Sequence, residues 1–305
     1  MKIAFIYGGQ GAQVVGMGKD YYHNDINAKQ FYDNLHLDTD VKKYAFEASL
    51  TEITQTDITQ IVIVAYQVMV TDLLRRKGIV PDVTLGLSIG EYSALYAAGI
   101  LSRQDTLKSA EMRGRYMAEI DADTEMYAIL RADESDIKAA LEQANDGRTS
   151  CAYIANYNCP GQIVISGDRT ACQKAAEILS KAKKKAIKLN VSSAFHTPFM
   201  EKAAVKFAKF LEQVSFQKPN IPLFSNLTGQ DQEIDASIMV DQMRRPVRLE
   251  TAIRNMLNSK VDKIIEIGYN NTIKNFIKRI DRKVKVNTIS DFDSFTQVIG
   301  ESNVC

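Results

Sequence analysis

Histidine is scarce. The 305 residues contain three, His23, His36 and His196, so a reaction that needs an imidazole base has few places to find one. The four cysteines, Cys151, Cys159, Cys172 and Cys305, form no CxxC and no zinc-type pairing, which leaves reduced thiols of a cytosolic protein as the simplest account. Charge bias is also missing: 38 Lys and Arg against 37 Asp and Glu give nothing to attract nucleic acid or an anionic membrane surface as a whole. Long apolar runs are absent too. The opening MKIAFIYGGQ is too short before its glycines to be a secretory signal, and the most apolar stretch, Ile61 to Val70, is about half the length needed to span a bilayer and contains Gln67. A cytoplasmic location is expected, with no nucleic-acid or membrane partner.

What is present is an ordinary globular composition, 45% hydrophobic and 25% charged, in a chain long enough for one large domain with an insert. No long linker, repeat or low-complexity tract interrupts it. Residues 2 to 7 read as a buried strand, followed by the Gly-rich loop Gly8 to Gln13. Its spacing matches neither the dinucleotide fingerprint nor the P-loop. A broken helical region spans Tyr21 to Leu50, and Asp57 to Lys77 reads as one long helix that Gly78 stops. Strand Val83 to Leu87, a helix from Glu91 to Gly99 and another from Arg103 to Glu119 complete an α/β layer with a parallel sheet.

From Glu125 the texture changes. Strand Met126 to Leu130, helix Glu134 to Asn145, strands Ser150 to Tyr157 and Gln162 to Ser166, helix Thr170 to Lys184 and strand Ala186 to Val191 give the order β-α-β-β-α-β. This predicts a ferredoxin-like small domain at 124–190, inserted in a large domain built from 1–123 and 191–305. The large domain resumes at Ser192 with a helix to Gln213, strand Ile221 to Ser225, helix Arg248 to Asn258, strand Lys263 to Ile267, helix Thr272 to Arg279 and strand Val284 to Thr288.

The chemistry centres on Gly86-Leu87-Ser88-Ile89-Gly90. A Gly-x-Ser-x-Gly is also a common Gly-rich turn, but between a strand and a helix it reads as a nucleophile elbow, with Ser88 presented at a helix N-terminus that favours developing negative charge. A serine nucleophile at neutral pH needs a base within reach. His23 and His36 lie in polar helical surroundings, so His196, at the junction where the small domain hands back to the large one, becomes the base by elimination.

Five segments then share one resemblance: Gly9-Gln10-Gly11-Ala12-Gln13, Gly86 to Ala94, Met112-Arg113-Gly114-Arg115, Asn156 to Gln162, and Ala194-Phe195-His196. In order and spacing the chain resembles the malonyl-CoA:acyl carrier protein transacylase family, over nearly its whole length. The resemblance implies an α/β-hydrolase-like large domain, with Ser88 carrying the malonyl group as an ester and His196 moving the proton. It implies an oxyanion hole from the backbone N–H groups of Gln10 and Ile89, where losing one donor typically costs about 3 kcal/mol. Arg113 would grip the free carboxylate of malonyl. Phe195 would line the acyl pocket and disfavour an α-methyl group by about 1 to 3 kcal/mol, and Asn158, equally readable as part of a turn, would be a pocket contact. Malonyl-CoA is then the donor substrate, with no permanently bound cofactor and no metal, and a phosphopantetheinylated acyl carrier protein is the partner, received by cations around Lys181 to Lys188 or Arg244-Arg245.

Three positions depart from the family. Leu87 replaces the usual histidine before the nucleophile, and Gly268-Tyr269-Asn270 replaces Gly-Pro-Gly. Arg248 replaces the glutamine after Pro246-Val247 whose backbone carbonyl orients the histidine; the backbone role survives this change, while the guanidinium bears on carboxylate binding. A trans-acting acyltransferase of a polyketide pathway, an acyl-carrier-protein hydrolase and a catalytically silent interaction module are the alternatives.

Overall fold

The computed structural model describes residues 1–147, 150–191 and 193–302; Ser192 and Cys305 lie outside the described residues. The chain folds into an α/β structure with two separate sheets. The first is parallel, with five strands: β1 Ile3–Tyr7, β2 Val83–Gly86, β7 Leu223–Phe224, β8 Lys263–Ile267 and β9 Val286–Ile289, in the order β7-β2-β1-β8-β9. Its inner strands are mostly apolar and almost wholly buried, as burial on both faces demands; the buried Thr84 and Glu266 hydrogen-bond to backbone. The second is antiparallel, with four strands: β3 Thr124–Leu130, β4 Ala152–Cys159, β5 Gln162–Asp168 and β6 Lys185–Lys188, in the order β4-β5-β3-β6. With helices Glu134–Ala144 and Arg169–Lys181 between its strands, this is the ferredoxin-like pattern expected from the sequence.

Alternation along the antiparallel strands divides their side chains between two cores. Ile129, Ile154, Ile163 and Ile165 pack under the two helices, whereas Met126, Ala128, Ala155 and Val164 face the main core. A short parallel bridge, Asn156 to Val247, stitches β4 to the returning chain, with the Tyr157 N–H donating to the Val247 carbonyl at 2.8 Å.

Helix Thr56–Arg76 runs through the middle of the main core, and 17 of its 21 residues are buried. Among the described residues it is the one helix long and apolar enough to cross a membrane, yet 89% of its most apolar stretch is covered by the protein itself. The apolar segment read as Ile61 to Val70 is therefore the centre of a longer core helix. Its polar residue joins two other parts of the fold. Gln67 is fully buried, donates to the Gly8 carbonyl at 2.8 Å and accepts from the Ser93 hydroxyl at 2.6 Å. The Gly-rich loop after β1 is thereby tied to the helix after β2.

Two helices escape the sequence reading. Ala236–Arg244 is capped by Asp235, whose side chain accepts from the Ile238 N–H, and Phe292–Ser302 closes the described chain. The strand expected at Ile221 to Ser225 shrinks to Leu223–Phe224, and that expected at Ala186 to Val191 ends at Lys188.

Candidate active site

The C-terminal ends of β1 and β2 lie side by side, with Tyr7 in register with Gly86, at the end of the sheet where parallel α/β folds place their ligands. The Leu87 N–H donates to the Tyr7 carbonyl at 2.9 Å, and the chain then turns into helix Gly90–Ala97. The turn is tight. A Cβ on Gly86 would lie 2.2 Å from the backbone of Gly90, and one on Gly90 would lie 2.4 Å from the Tyr7 carbonyl oxygen. Ser88 takes the strain of the elbow with φ of 53°, a left-handed conformation that persists in a non-glycine residue only where surrounding contacts hold it.

Those contacts come from far along the chain. The Asn226 side chain accepts from the Ser88 N–H at 2.7 Å and donates to the Gly86 carbonyl at 2.5 Å, bracketing the serine from both sides. The Ser88 hydroxyl lies 2.8 Å from Nε2 of His196. His196 is itself in the left-handed region, φ 60°, and buried. Its Nδ1 lies 2.7 Å from the Gln242 carbonyl oxygen. A carbonyl can only accept, so Nδ1 carries the proton and Nε2 presents its lone pair to the Ser88 hydroxyl. Burial, helped by the nearby Arg113 charge, lowers the His196 pKa to about 3, which keeps the ring neutral, with its Nε2 lone pair facing the hydroxyl, at neutral pH.

Arg113 reaches the same hydroxyl from helix Arg103–Ala118: its Nη2 lies 3.3 Å from Ser88 Oγ. The guanidinium is fully buried, donates to Gln60 Oε1 at 2.7 Å and to Gln242 Oε1 at 3.0 Å, and sits over the Tyr92 ring. Among the described residues no carboxylate pairs with it, and its Nε is without a hydrogen-bond partner. A buried cation with donors to spare suits an arriving anion.

Two backbone N–H groups are also unoccupied. Among the described residues neither Ile89 nor Gln10 donates its backbone N–H to a protein acceptor. Ile89 follows the serine, and Gln10 sits on the loop that Gln67 holds.

The remaining sequence candidates fall elsewhere. Phe195 is buried in the main core beside His196, and Asn158 is buried in β4 with Oδ1 unpartnered among the described residues. No hydrogen bond joins either to Ser88, His196 or Arg113 among the described residues. The expectation for Arg248 is corrected: the carbonyl on His196 belongs to Gln242, because the unforeseen helix Ala236–Arg244 brings its last turn under the imidazole. The Arg248 guanidinium instead stacks over the Tyr157 ring, 4.4 Å from its centroid. A cavity of about 410 Å³ has His196 in its wall, with Tyr153 and Ile154 of the antiparallel sheet, Lys138, and Pro198, Arg244 and Pro246 of the returning chain among others. The cations named for carrier docking are mostly paired, Lys184 with Asp136 at 2.6 Å and Arg244 with Glu201 and Asp241 at 2.7 Å each.

The sequence reading also passed over Gln242, Asn226, Gln60 and Glu91, which complete the site. Glu91 stands within the elbow motif itself, where the sequence suggests no role for it.

Comparison with known proteins gives this arrangement a context. The sequence pattern of the acyl transferase domain matches residues 4–291. The malonyl CoA-acyl carrier protein transacylase of Bacillus subtilis (strain 168) is 35% identical over 298 residues, covering 95% of this chain and 94% of that protein. The crystal structure of malonyl CoA-acyl carrier protein transacylase from Clostridium perfringens superposes with a TM-score of 0.93 at 32% identity, covering 100% of this chain and 98% of the other. A structure of a type II PKS acyl-carrier protein in complex with its malonyl-transacylase matches with a TM-score of 0.92 at 27% identity, over 99% of this chain and 100% of the other.

Proposed function

The chain belongs to the acyl transferase domain family, and from that premise we propose that it moves a malonyl group from malonyl-CoA, through an ester on Ser88, to the phosphopantetheine thiol of an acyl carrier protein. The observation that carries this reading is one hydroxyl with two neighbours: Ser88 Oγ lies 2.8 Å from the His196 base and 3.3 Å from the Arg113 cation. The first is what any acyl transfer needs. The second adds a clamp for an acyl group that ends in a carboxylate.

The steps follow from the geometry. Ser88 Oγ attacks the thioester carbonyl as its proton passes to His196 Nε2, and the new negative charge on the carbonyl oxygen is met by the N–H groups of Ile89 and Gln10. Collapse breaks the C–S bond, and His196 returns the proton to the departing thiolate. The carrier thiol then attacks the ester by the same route in reverse, restoring the serine. Throughout, Arg113 holds the distal carboxylate with a paired, charge-assisted contact that acetyl lacks. Serine, histidine and two amides suffice for this chemistry, so the reading calls for no metal and no resident cofactor.

In the same reading, residues 124–190 form an inserted domain that walls the entrance, Phe195 limits the room at the α-carbon, Asn158 contacts the pocket, and the enzyme works in the cytoplasm. Fatty-acid synthesis is the pathway we favour; the similarity to a malonyl-transacylase of a type II PKS keeps a polyketide carrier in view.

Initial rates with malonyl-CoA and holo carrier protein both varied test the reading. Transfer through a seryl ester predicts parallel double-reciprocal lines. Intersecting lines, or coenzyme A released at the full rate without carrier, would overturn it.

A further inference from the structure

Glu91 is buried in the first turn of the helix that follows the elbow, 1% exposed, and touches no reacting atom. Both its oxygens are used as acceptors: Oε1 takes the Asn226 N–H at 2.8 Å, and Oε2 takes Gln242 Nε2 at 2.8 Å. Asn226 is the residue that brackets Ser88. Gln242 is the residue on which everything else meets.

Every polar atom of the Gln242 amide is occupied. Nε2 gives one hydrogen to Glu91 and the other to the Ser88 carbonyl at 2.9 Å, while Oε1 accepts from Arg113 Nη2 at 3.0 Å. Its backbone carbonyl holds His196 Nδ1 at 2.7 Å. An amide can be flipped, and only its neighbours decide which end is oxygen. Here three neighbours agree: the Ser88 carbonyl and the ionised Glu91 can only accept and Arg113 can only donate, so the NH2 faces the first two and the oxygen faces Arg113.

Resting on the transferase reading above, we infer that Glu91 is a positioning residue for the reaction, which acts through the side chain of Gln242 to set the malonyl clamp and the base together. Burial pushes the Glu91 pKa up to about 7, against the Asn226 and Gln242 hydrogen bonds and the Arg113 charge that favour the carboxylate; when ionised, Glu91 is a countercharge for the buried Arg113 from one amide away. The guanidinium face toward Ser88 is left open for the substrate's carboxylate instead of being closed by a protein one.

Replacing Glu91 by Gln breaks this arrangement with almost no change of shape. The new amide cannot accept from both Asn226 and Gln242, so one N–H faces another or Gln242 turns over and presents its NH2 to Arg113. A misplaced clamp hurts malonyl more than acetyl, whereas general loosening of the fold slows both alike.

The test is single-turnover loading of Ser88 from malonyl-CoA and from acetyl-CoA, on the full chain, for the native protein, Glu91→Gln, Gln242→Ala and the double variant, with thermal unfolding of each. Glu91→Gln is expected to slow malonyl loading about 10- to 100-fold and to lower the malonyl-to-acetyl ratio. The double variant should be no slower than Gln242→Ala, since both changes disable one device. If Glu91→Gln does not fold, Gln242→Ala decides: a lowered ratio supports the inference and an unchanged one overturns it. Losses that simply multiply in the double variant, or equal slowing with both acyl groups, overturn it as well. A native protein that malonyl-CoA does not load overturns the transferase reading and this one with it, while native loading with an unchanged ratio in the variants overturns this one alone.

Discussion

The two sheets differ in how many polar side chains they bury and join into one network. At the end of the parallel sheet, the buried side chains of Glu91, Arg113, Asn226 and Gln242 are tied to one another and to the half-buried Ser88, and Gln67 does the same for the loop beside them. Around the antiparallel sheet, ionic groups pair at the surface, as Lys138 with Glu134 at 2.9 Å and Lys184 with Asp136 at 2.6 Å. Both regions are layered α/β structures with apolar cores of their own, so the difference is one of purpose. A buried polar group is costly unless every partner is in place, and that cost is what fixes geometry. In the proposed reading the antiparallel part has only to stay folded and to wall the entrance, for which surface pairs and apolar packing suffice.

Breaking the comparison at its strongest point means removing the buried cation. Arg113→Ala should lower malonyl loading by about 100-fold, since truncating one partner of a buried charge-assisted pair costs about 2 to 5 kcal/mol or more, and it should narrow the gap between malonyl and acetyl. Single-turnover rates with both thioesters read this directly; equal losses for the two would mean that the guanidinium serves only the fold.

The next effect is on proton transfer. The neutral form of His196 is the active base, and its pKa is lowered from 6.5 to about 3. As pH falls through 6.5 an ordinary imidazole would charge and stop working, but here the neutral form persists, so His196 adds no acid limb above about pH 5. Burial pushes the Glu91 pKa up to about 7, so protonating Glu91 should lower kcat/KM for malonyl loading near that pH, and this limb should vanish in Glu91→Gln. An acid limb near the ordinary histidine value that survives in Glu91→Gln would show that the ring is solvated in the working enzyme.

The smallest effects sharpen the contrast in stability. Gln67→Leu leaves the Ser93 hydroxyl and the Gly8 carbonyl buried without their partner, and should cost about 1 to 3 kcal/mol, whereas Lys184→Ala should cost less than about 1 kcal/mol. Denaturant unfolding of the two variants side by side measures the difference; equal losses would erase the distinction between the regions.

How much of this could be read from residues alone divides along the same line. The elbow is local: two glycines at fixed offsets between a strand and a helix make a turn that few other sequences make, and Ser88 is legible there. The β-α-β-β-α-β order of residues 124–190 is legible because each element carries its own periodicity and turn residues. Gln242 and Asn226 are not. A glutamine in an amphipathic helix reads as solvent-facing, and nothing within Ala236–Arg244 says that its last turn lies against an elbow 154 residues earlier. Assigning the histidine's carbonyl to Arg248 failed for the same reason: which carbonyl reaches Nδ1 depends on how a helix docks. Glu91 lay in plain sight, but a carboxylate after a Gly-rich turn is an ordinary first-turn residue until its burial is known.

The central claim is that one hydroxyl carries the acyl group. Intact mass and peptide mapping after brief exposure to malonyl-CoA, with and without holo carrier protein, test it most directly. The account predicts a single malonyl adduct, mapped to Ser88, absent in Ser88→Ala and discharged by the carrier. An adduct on another residue, or one that survives in Ser88→Ala, would contradict it.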